Sequence, residues 1–205
     1  MDFEGDGAVV GRDVCKACGV IDCAWRSHMQ NLLQQLPAFT DDGAVHMVVE
    51  SPRGSSAKLT FDAKLGCFRL GRALNMGLCY PCDWGFVPST LTQDGDPLDA
   101  LLIADFGTFP GVVVECEPIG VIQVTQPGTG EMAAKRVRND RVVLAPLGSP
   151  RGRAIWTSGE VPPRIRAELE LFFLTAVLLD KEGVRIEGWQ NSVAARELIE
   201  HSLAQ

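Results

Sequence analysis

The stretch QDGDPLDALLIA, residues 93–104, places three aspartates in a Gly-Pro turn directly before an apolar run. These aspartates are Asp94, Asp96 and Asp99. Like charges so close together are unfavourable unless a positive group lies among them. No lysine or arginine occurs between Phe86 and Ala134, so the neighbouring chain does not supply that group. The stretch therefore predicts a buried strand that begins beside a bound metal ion.

The type of metal follows from the ligands. Carboxylate oxygens favour Mg²⁺, a hard cation that commonly joins one or two carboxylates to the phosphates of a substrate. In an extended chain Asp94 and Asp96 would point to the same side, and two such ions can clamp a phosphoryl group and lower the pKa of a bound water. The spacing does not match the calcium loop of an EF-hand. A solvated acidic turn is the alternative interpretation.

The composition of the chain limits the classes of function. Its 205 residues carry a formal charge of −7, which argues against non-specific binding to nucleic acid. No apolar run has transmembrane length, and the acidic N-terminus lacks the pattern of a secretory signal, so we expect a cytoplasmic protein that does not bind membranes. The odd number of cysteines, 7, fits a reducing compartment. Cys15, Cys18, Cys23 and the nearby His28 could hold zinc, but we expect ordinary free thiols.

The order of predicted elements favours an α+β domain, mainly β, built on a small barrel. A helix with apolar residues at helical spacing is predicted over 24–36 within an N-terminal extension, residues 1–43, and the barrel domain is predicted over 44–205. Predicted strands cover 46–50, 58–62, 67–70, 101–104, 112–117, 120–125 and 141–145. Predicted helices cover 164–179, after a Pro-Pro signal, and 192–203.

Candidate phosphate-binding groups lie upstream of the aspartates. Lys58, Arg72 and Tyr80 stand on or beside predicted strands. Cations and hydroxyl groups are the side chains that hold phosphate oxygens. Each of these residues alone is commonplace. They indicate a phosphate site only in combination with the aspartate cluster.

Read together, these stretches resemble the type I soluble inorganic pyrophosphatases. The resemblance rests on VVESPRGSSAKLTFD (48–62), FRLGRALNMGLCYPCDWGFVPSTLTQDGDPLDALL (68–102), PIGV (118–121), and FF followed by VRIEGW (172–189). It covers roughly residues 44–200 and implies an OB-like five-stranded barrel flanked by helices. It also implies Mg²⁺-dependent hydrolysis of pyrophosphate to two phosphates, and a homo-oligomer.

The resemblance assigns roles to individual residues. It implies that Asp94 and Asp99 hold the activating metals, with Glu50 at an outer metal, and that Asp96 accepts a proton from the attacking water beside them. It implies that Lys58 and Arg72 neutralise the phosphates and that Tyr80 bonds to the phosphate side of the cavity. Asn139 could offer an oxygen to a metal, and Arg141 keeps a cation for the substrate.

Several positions depart from the family pattern. Gln126 and Asn139 stand where the family carries metal-binding aspartates, and Arg141 stands where it carries a lysine. A register slipped by one would offer Asp140 instead of Asn139, but with its side chain on the other face of a strand. Further differences are Thr60 for an acid, Trp84 as the second aromatic, and Ala176 and Val177 for a Tyr-Lys pair.

Three hypotheses remain open at this point. The first is a working pyrophosphatase of reduced efficiency. The second is a non-catalytic homologue that binds phosphate, a nucleotide or a protein partner, which the lost acids favour. The third is an enzyme with an altered substrate, because Ala176 and Val177 enlarge one wall of the site and remove its charge.

Overall fold

The computed structural model describes residues 32–128, 135–149, 160–177 and 184–203. In chain order the elements are α1 (Leu32–Gln35), β1 (Val45–Ser51), β2 (Ala57–Asp62), β3 (Cys67–Ala73), β4 (Asp83–Phe86), β5 (Asp99–Leu102), β6 (Val113–Pro127), β7 (Arg136–Arg138), β8 (Arg141–Pro146), α2 (Pro163–Val177), β9 (Arg185–Gln190) and α3 (Ser192–His201). Strands dominate and two of the three described helices follow the barrel strands, which confirms the predicted α+β class, mainly β.

Five strands close into a barrel in the order β1-β4-β5-β8-β6, because β6 also pairs with β1. β7 and β9 pair along the outer part of β6, and β2 and β3 form a separate antiparallel hairpin. β4 can approach β1 closely only because residue 85 is glycine: a Cβ there would lie 1.9 Å from the backbone oxygen of Val48. The closed ring confirms the predicted five-stranded barrel.

The barrel strands are buried on both faces, which explains why they are continuous apolar runs. On one face Ala100 and Leu102 of β5 belong to a cluster that includes Ile199 of α3. On the other face Leu101 belongs to a cluster that includes Phe173 of α2. Successive side chains of a strand point to opposite faces, so β5 packs towards α3 on one face and towards α2 on the other.

Several boundaries differ from the predictions. The strands expected at 112–117 and 120–125 form one strand, β6, which continues past Pro118 with a register shift against β8 between Pro118 and Gly120. β4, β7 and β9 were not predicted, and β5 begins at Asp99, two residues before the predicted start. The helix expected over 24–36 is described only from Leu32 to Gln35.

The remaining predictions concern the N-terminal segment and membrane-spanning helices. Cys15, Cys18, Cys23 and His28 lie outside the described residues. Residues 32–43 do contact the barrel: the Ser89 hydroxyl donates to the backbone oxygen of Leu36 at 2.8 Å. In the part of the chain that the structure describes, no helix is both long enough and apolar enough to cross a membrane.

Candidate active site

The loop between β4 and β5 holds two of the three aspartates in an exposed turn. The Thr92 hydroxyl donates to Asp94 Oδ1, and the Thr92 backbone N–H donates to the oxygen of Asp96 at 2.9 Å. Gly95 has φ of 90°, a conformation that favours glycine. Asp94 and Asp96 therefore lie in a turn, and the extended geometry assumed for them from the sequence is wrong.

The third aspartate meets an arginine because of strand topology. Asp99 begins β5 and Arg141 begins β8, and these strands pair in parallel with Ala100 beside Val142. Asp99 and Arg141, which directly precede Ala100 and Val142, therefore lie at the same end of the sheet. Arg141 Nε lies 3.3 Å from Asp99 Oδ2.

Arg141 is a cation held inside the protein. Its exposed fraction is 8%, its Nη1 donates to the backbone oxygen of Asn139, and its guanidinium carbon lies 4.9 Å from the centre of the Phe173 ring and 5.8 Å from that of Trp84. Burial lowers the pKa of Arg141, and the charge of Asp99 opposes that shift. Nε has no aligned hydrogen-bond partner among the described residues, despite its distance to Asp99. Guanidinium groups remain protonated in proteins, so Arg141 is a fixed positive charge whose Nε–H can donate to a bound ligand.

Two more cations stand opposite each other on the β2–β3 hairpin. Lys58 pairs with Arg72 in the register of the two strands, next to a register shift. Like charges directly opposite are destabilising unless an anion lies between or near them. Arg72 is oriented by its Nη2, which donates to the backbone oxygen of Ala176 at 3.1 Å. The hairpin thus presents a pair of cations whose direction is set by α2.

These cations share one cavity of about 140 Å³, called here the cation pocket. Its polar lining comes from six residues on five elements and a loop, and its apolar lining from six others. The polar residues are Lys58, Arg72, Tyr80, Asp99, Gln126 and Arg141, and the apolar residues are Leu74, Trp84, Phe172, Phe173, Ala176 and Val184.

Tyr80 is a buried phenol in this pocket, with an exposed fraction of 5%. Burial raises the pKa of Tyr80 above its ordinary value, whereas a hydrogen bond with Ser51 and the charge of Arg72 act in the opposite direction. The raised pKa keeps the hydroxyl protonated at neutral pH. Tyr80 can therefore donate a hydrogen bond to an anion in the pocket.

Glu50 lies beside the pocket on β1, outside its lining. Its Oε1 accepts a hydrogen bond from the backbone N–H of Phe61 at 2.7 Å. The pKa of Glu50 is raised to about 7, mainly by burial and also by the charges of Asp99 and Asp96, against the opposite effects of the Phe61 N–H and Lys58. We call Glu50, Asp94 and Asp96 the acidic rim, because the charges of Asp96 and Asp99 act on Glu50 and the charge of Asp94 acts on Arg141.

The acidic rim carries the kind of group that can hold a divalent cation. Its ligands are carboxylate oxygens, and the effect of Asp96 and Asp99 on the pKa of Glu50 is the repulsion that a cation would relieve. No group of three His, Cys, Asp or Glu side chains among the described residues is arranged closely enough to enclose a metal. Mg²⁺ commonly uses one or two carboxylates and takes its other ligands from water and phosphate. The residues present therefore fit this ion without a closed cage.

The structure brings only part of the predicted site together. Lys58, Arg72, Tyr80, Asp99 and Arg141 line one pocket, as do Gln126 and Ala176, whereas Glu50, Asp94, Asp96 and Asn139 do not line it. The backbone N–H of Asn139 donates to Val124 at 2.9 Å. Asp140 is engaged away from the pocket, because its Oδ1 accepts from the N–H of Val124 at 2.9 Å and its Oδ2 lies 2.6 Å from Arg138.

Sequence reasoning missed the apolar neighbours of the cations. Phe173 and Trp84 pack against the Arg141 guanidinium, and Val184, the first residue of VRIEGW, lines the pocket as well. The FF pair at 172–173 was a signal, but apolar residues in a helical pattern indicate a core first. Only their distance to Arg141 shows that they also line the site.

Comparison with known proteins identifies the family. Residues 47–205 match the family model for inorganic pyrophosphatase. An inorganic pyrophosphatase from Synechocystis sp. is 33% identical over 168 residues, which cover 82% of this chain and 95% of that protein. One from Thermus thermophilus is 37% identical over 164 residues, covering 78% and 89% of the two chains.

Solved structures agree in fold. The crystal structure of inorganic pyrophosphatase from Thermus thermophilus has a TM-score of 0.74 at 34% identity, covering 83% of this chain and 96% of that chain. The corresponding structure from Neisseria gonorrhoeae has a TM-score of 0.71 at 29% identity, covering 85% and 96%. This chain is therefore similar to these proteins over nearly their whole length.

Proposed function

The chain belongs to the type I soluble inorganic pyrophosphatase family, and we propose that it hydrolyses inorganic pyrophosphate to two phosphates with Mg²⁺ as its cofactor. The observation that carries this proposal is the cation pocket, in which Lys58, Arg72 and Arg141 face one cavity beside Asp99. Three cations around one carboxylate leave an excess of positive charge, which suits a multiply charged anion. The names of the relatives agree with this substrate.

We propose that the cations bind and orient the substrate. Lys58 and Arg72 hold oxygens of one phosphate, and Arg141, fixed by its contacts with Asn139 and Phe173, supplies a charge that does not have to move during the reaction. Preorganised charges of this kind stabilise the negative charge that develops on a leaving phosphate. Tyr80, kept protonated by burial, donates a hydrogen bond to the bound phosphate.

The remaining steps concern the attacking water. In this proposal Asp96 accepts a proton from the water while the water oxygen attacks one phosphorus and the bond from that phosphorus to the bridging oxygen breaks. Glu50, Asp94, Asp99 and the side-chain oxygen of Asn139 would hold Mg²⁺. When bound, the ion neutralises phosphate charge and lowers the pKa of water in the site.

We further propose that the activity is reduced relative to family members with a full set of acids. Gln126 lines the pocket, Asn139 contacts the pocket residue Arg141 through its backbone oxygen, and both residues carry neutral amides. A neutral amide oxygen can coordinate Mg²⁺ but does not offset the cost of removing water from so strongly hydrated an ion. The same loss supports the alternative function, a non-catalytic protein that binds phosphate or a nucleotide through its fixed cations.

The test is release of phosphate from pyrophosphate by the purified protein across a range of Mg²⁺ concentrations, with and without a chelator. We expect release that depends on Mg²⁺ and stops on chelation. The control variant is Arg164→Met, a change at an exposed arginine that does not line the pocket. It should behave as the wild type. Binding of pyrophosphate without any release would contradict hydrolysis and support the alternative function.

The proposal extends to the state of the protein in the cell. We propose a cytoplasmic homo-oligomer, with residues 44–205 as the catalytic domain and residues 1–43 as an extension. The start of the family match at residue 47 supports this division. Light scattering of the full chain and of a chain that starts at residue 44 would test both the assembly and the division.

A further inference from the structure

One side of the cation pocket is apolar. Leu74, Phe172 and Ala176 line the cavity although each is at most 8% exposed. Leu74, Phe172 and Ala176 also form one buried cluster, and Val184, which packs on the cluster of Phe173, lines the cavity from the segment before β9. We call these four residues the apolar wall. Removing water from an anion next to such a surface costs free energy where no hydrogen bond replaces it. An inorganic phosphate therefore gains nothing from the apolar wall.

The apolar wall is directly beside the cations. Arg72 donates a hydrogen bond at 3.1 Å to the backbone oxygen of Ala176, a residue of the wall. The Tyr80 ring lies 5.1 Å from the Phe172 ring, measured between centres. A phosphate that reaches Arg72 and Tyr80 therefore has hydrocarbon next to it. Any substituent on that phosphate would have a surface to contact.

We infer that the pocket takes diphosphate monoesters with a short apolar substituent, in addition to inorganic pyrophosphate. The inference rests on the proposed function, because it uses the same cations to hold the diphosphate. A cavity of about 140 Å³ is well below the roughly 300–1,000 Å³ typical of pockets for drug-sized ligands. This size favours a substituent of a few carbons over a nucleoside.

The reaction on such an ester is the same transfer to water. The water oxygen attacks the terminal phosphorus, and the bond from that phosphorus to the bridging oxygen breaks. The bridging oxygen leaves with its electron pair on the alkyl monophosphate, and the proton of the water passes through Asp96 to the products. The products are one alkyl monophosphate and one inorganic phosphate, and no other reactant is needed.

Two probes isolate the contribution of the apolar wall. Methyl diphosphate and 3-methylbutyl diphosphate carry the same phosphate groups and differ only in the length of a saturated hydrocarbon. Burial of about two further CH₂ groups implies binding about tenfold tighter for the longer ester. The measurement is the dissociation constant of each by calorimetry with Mg²⁺, together with inhibition of pyrophosphate hydrolysis and release of phosphate from each ester.

Variants of the wall provide the second arm. Ala176→Tyr fills the apolar side, and Val184→Asn makes it polar at a partly exposed position where the fold is less at risk. Both should reduce the affinity ratio of the two esters towards one. Leu174→Tyr, a change at a residue of the same helix that is 51% exposed, is the matched control and should keep the wild-type ratio.

The outcomes separate the inference from the proposed function. Equal affinities of the two esters in a protein that hydrolyses pyrophosphate would overturn the inference alone. A ratio that survives both wall variants would also overturn it, since the preference would then arise elsewhere. Failure to bind pyrophosphate and both esters would overturn the proposed function as well. A preference for the longer ester without hydrolysis would support the specificity of the pocket and contradict only the enzymatic step.

Discussion

Two aspartates of the acidic rim differ in burial from the arginine of the cation pocket, although Glu50 of the rim is partly buried and Lys58 of the pocket is exposed. Asp94 and Asp96 lie exposed in a turn held by local hydrogen bonds, whereas Arg141 is only 8% exposed and packs on two aromatic rings. Exposed charges are screened by salt over about 10 Å at 0.1 M ionic strength, and buried charges are screened much less. The fold therefore holds the charge of Arg141 in a fixed position, whereas Asp94 and Asp96 carry their charge in contact with solvent.

The largest expected effect is on the rim. Asp96→Asn should lower the turnover of pyrophosphate by about 10²–10⁴-fold, the usual contribution of a positioned proton acceptor. The variant should melt as the wild type does, because Asp96 is exposed. Steady-state phosphate release is the measurement, and Asp42→Asn, at another exposed aspartate, is the control. Unchanged turnover would mean that the water is activated by another residue.

In the pocket, the test is to remove the fixed cation. Arg141→Met should lower kcat for pyrophosphate by about 10²–10³-fold, as expected for loss of a preorganised charge in a site shielded from water. Methionine keeps an apolar chain against Phe173 and Trp84. Arg141→Lys restores charge without the planar fork and should recover part of the activity. If lysine and methionine give the same rate, the charge at this position is not what the reaction uses.

A third prediction concerns Glu50, whose folded-state pKa is raised from 4.5 to about 7. The folded protein holds this proton more tightly than the unfolded chain, so the contribution of Glu50 to stability is fully present below pH 4.5 and is lost as pH rises to about 7. In metal-free protein the loss from this group is at most about 3 kcal/mol at 1.36 kcal/mol per unit. Mg²⁺ should restore stability more at pH 8 than at pH 5.

Denaturant unfolding at pH 5 and pH 8, with a chelator or with Mg²⁺, measures this effect. Glu50→Gln should remove most of the difference between the two pH values in the metal-free protein. Glu200→Gln, at an exposed glutamate of α3, should leave it in place. A pH dependence identical in wild type and Glu50→Gln would show that another group titrates.

The smallest expected effect is at the boundary of rim and pocket. Asn139→Asp should shift the Mg²⁺ midpoint of activity to about tenfold lower concentration, because a unit charge near the ion is worth about 4 kcal/mol at 4 Å and an effective dielectric of 20 before desolvation is subtracted. Gln126→Asp should add to the shift. Asn191→Asp, which preserves the cap of α3, is the control. An unmoved midpoint in both variants would place neither residue at the metal.

The sequence by itself determined the class of the fold and the chemical types in the site. Apolar runs bounded by Gly, Pro and Asp indicate strands, and the Pro-Pro signal before residue 164 indicates a helix; both depend on local chain properties, and the structure has β1, β2 and α2 where they were expected. β9 was missed because its stability comes from pairing with β6, not from its own pattern. Pairing with neighbouring strands also explains why the chain forms the single strand β6 where the local pattern predicted two strands.

Only the tertiary structure decided which groups meet. Asp99 and Arg141 are far apart in the chain and come together because β5 and β8 are parallel neighbours. Lys58 stands opposite Arg72 through the register of a hairpin that no short-range pattern specifies. The apolar wall depends on α2 packing over the barrel, which brings Ala176 to Arg72. Local sequence sets the conformation of each segment, but contacts between distant segments are set by burial and strand pairing of the whole chain, and these decide the shape and polarity of the site.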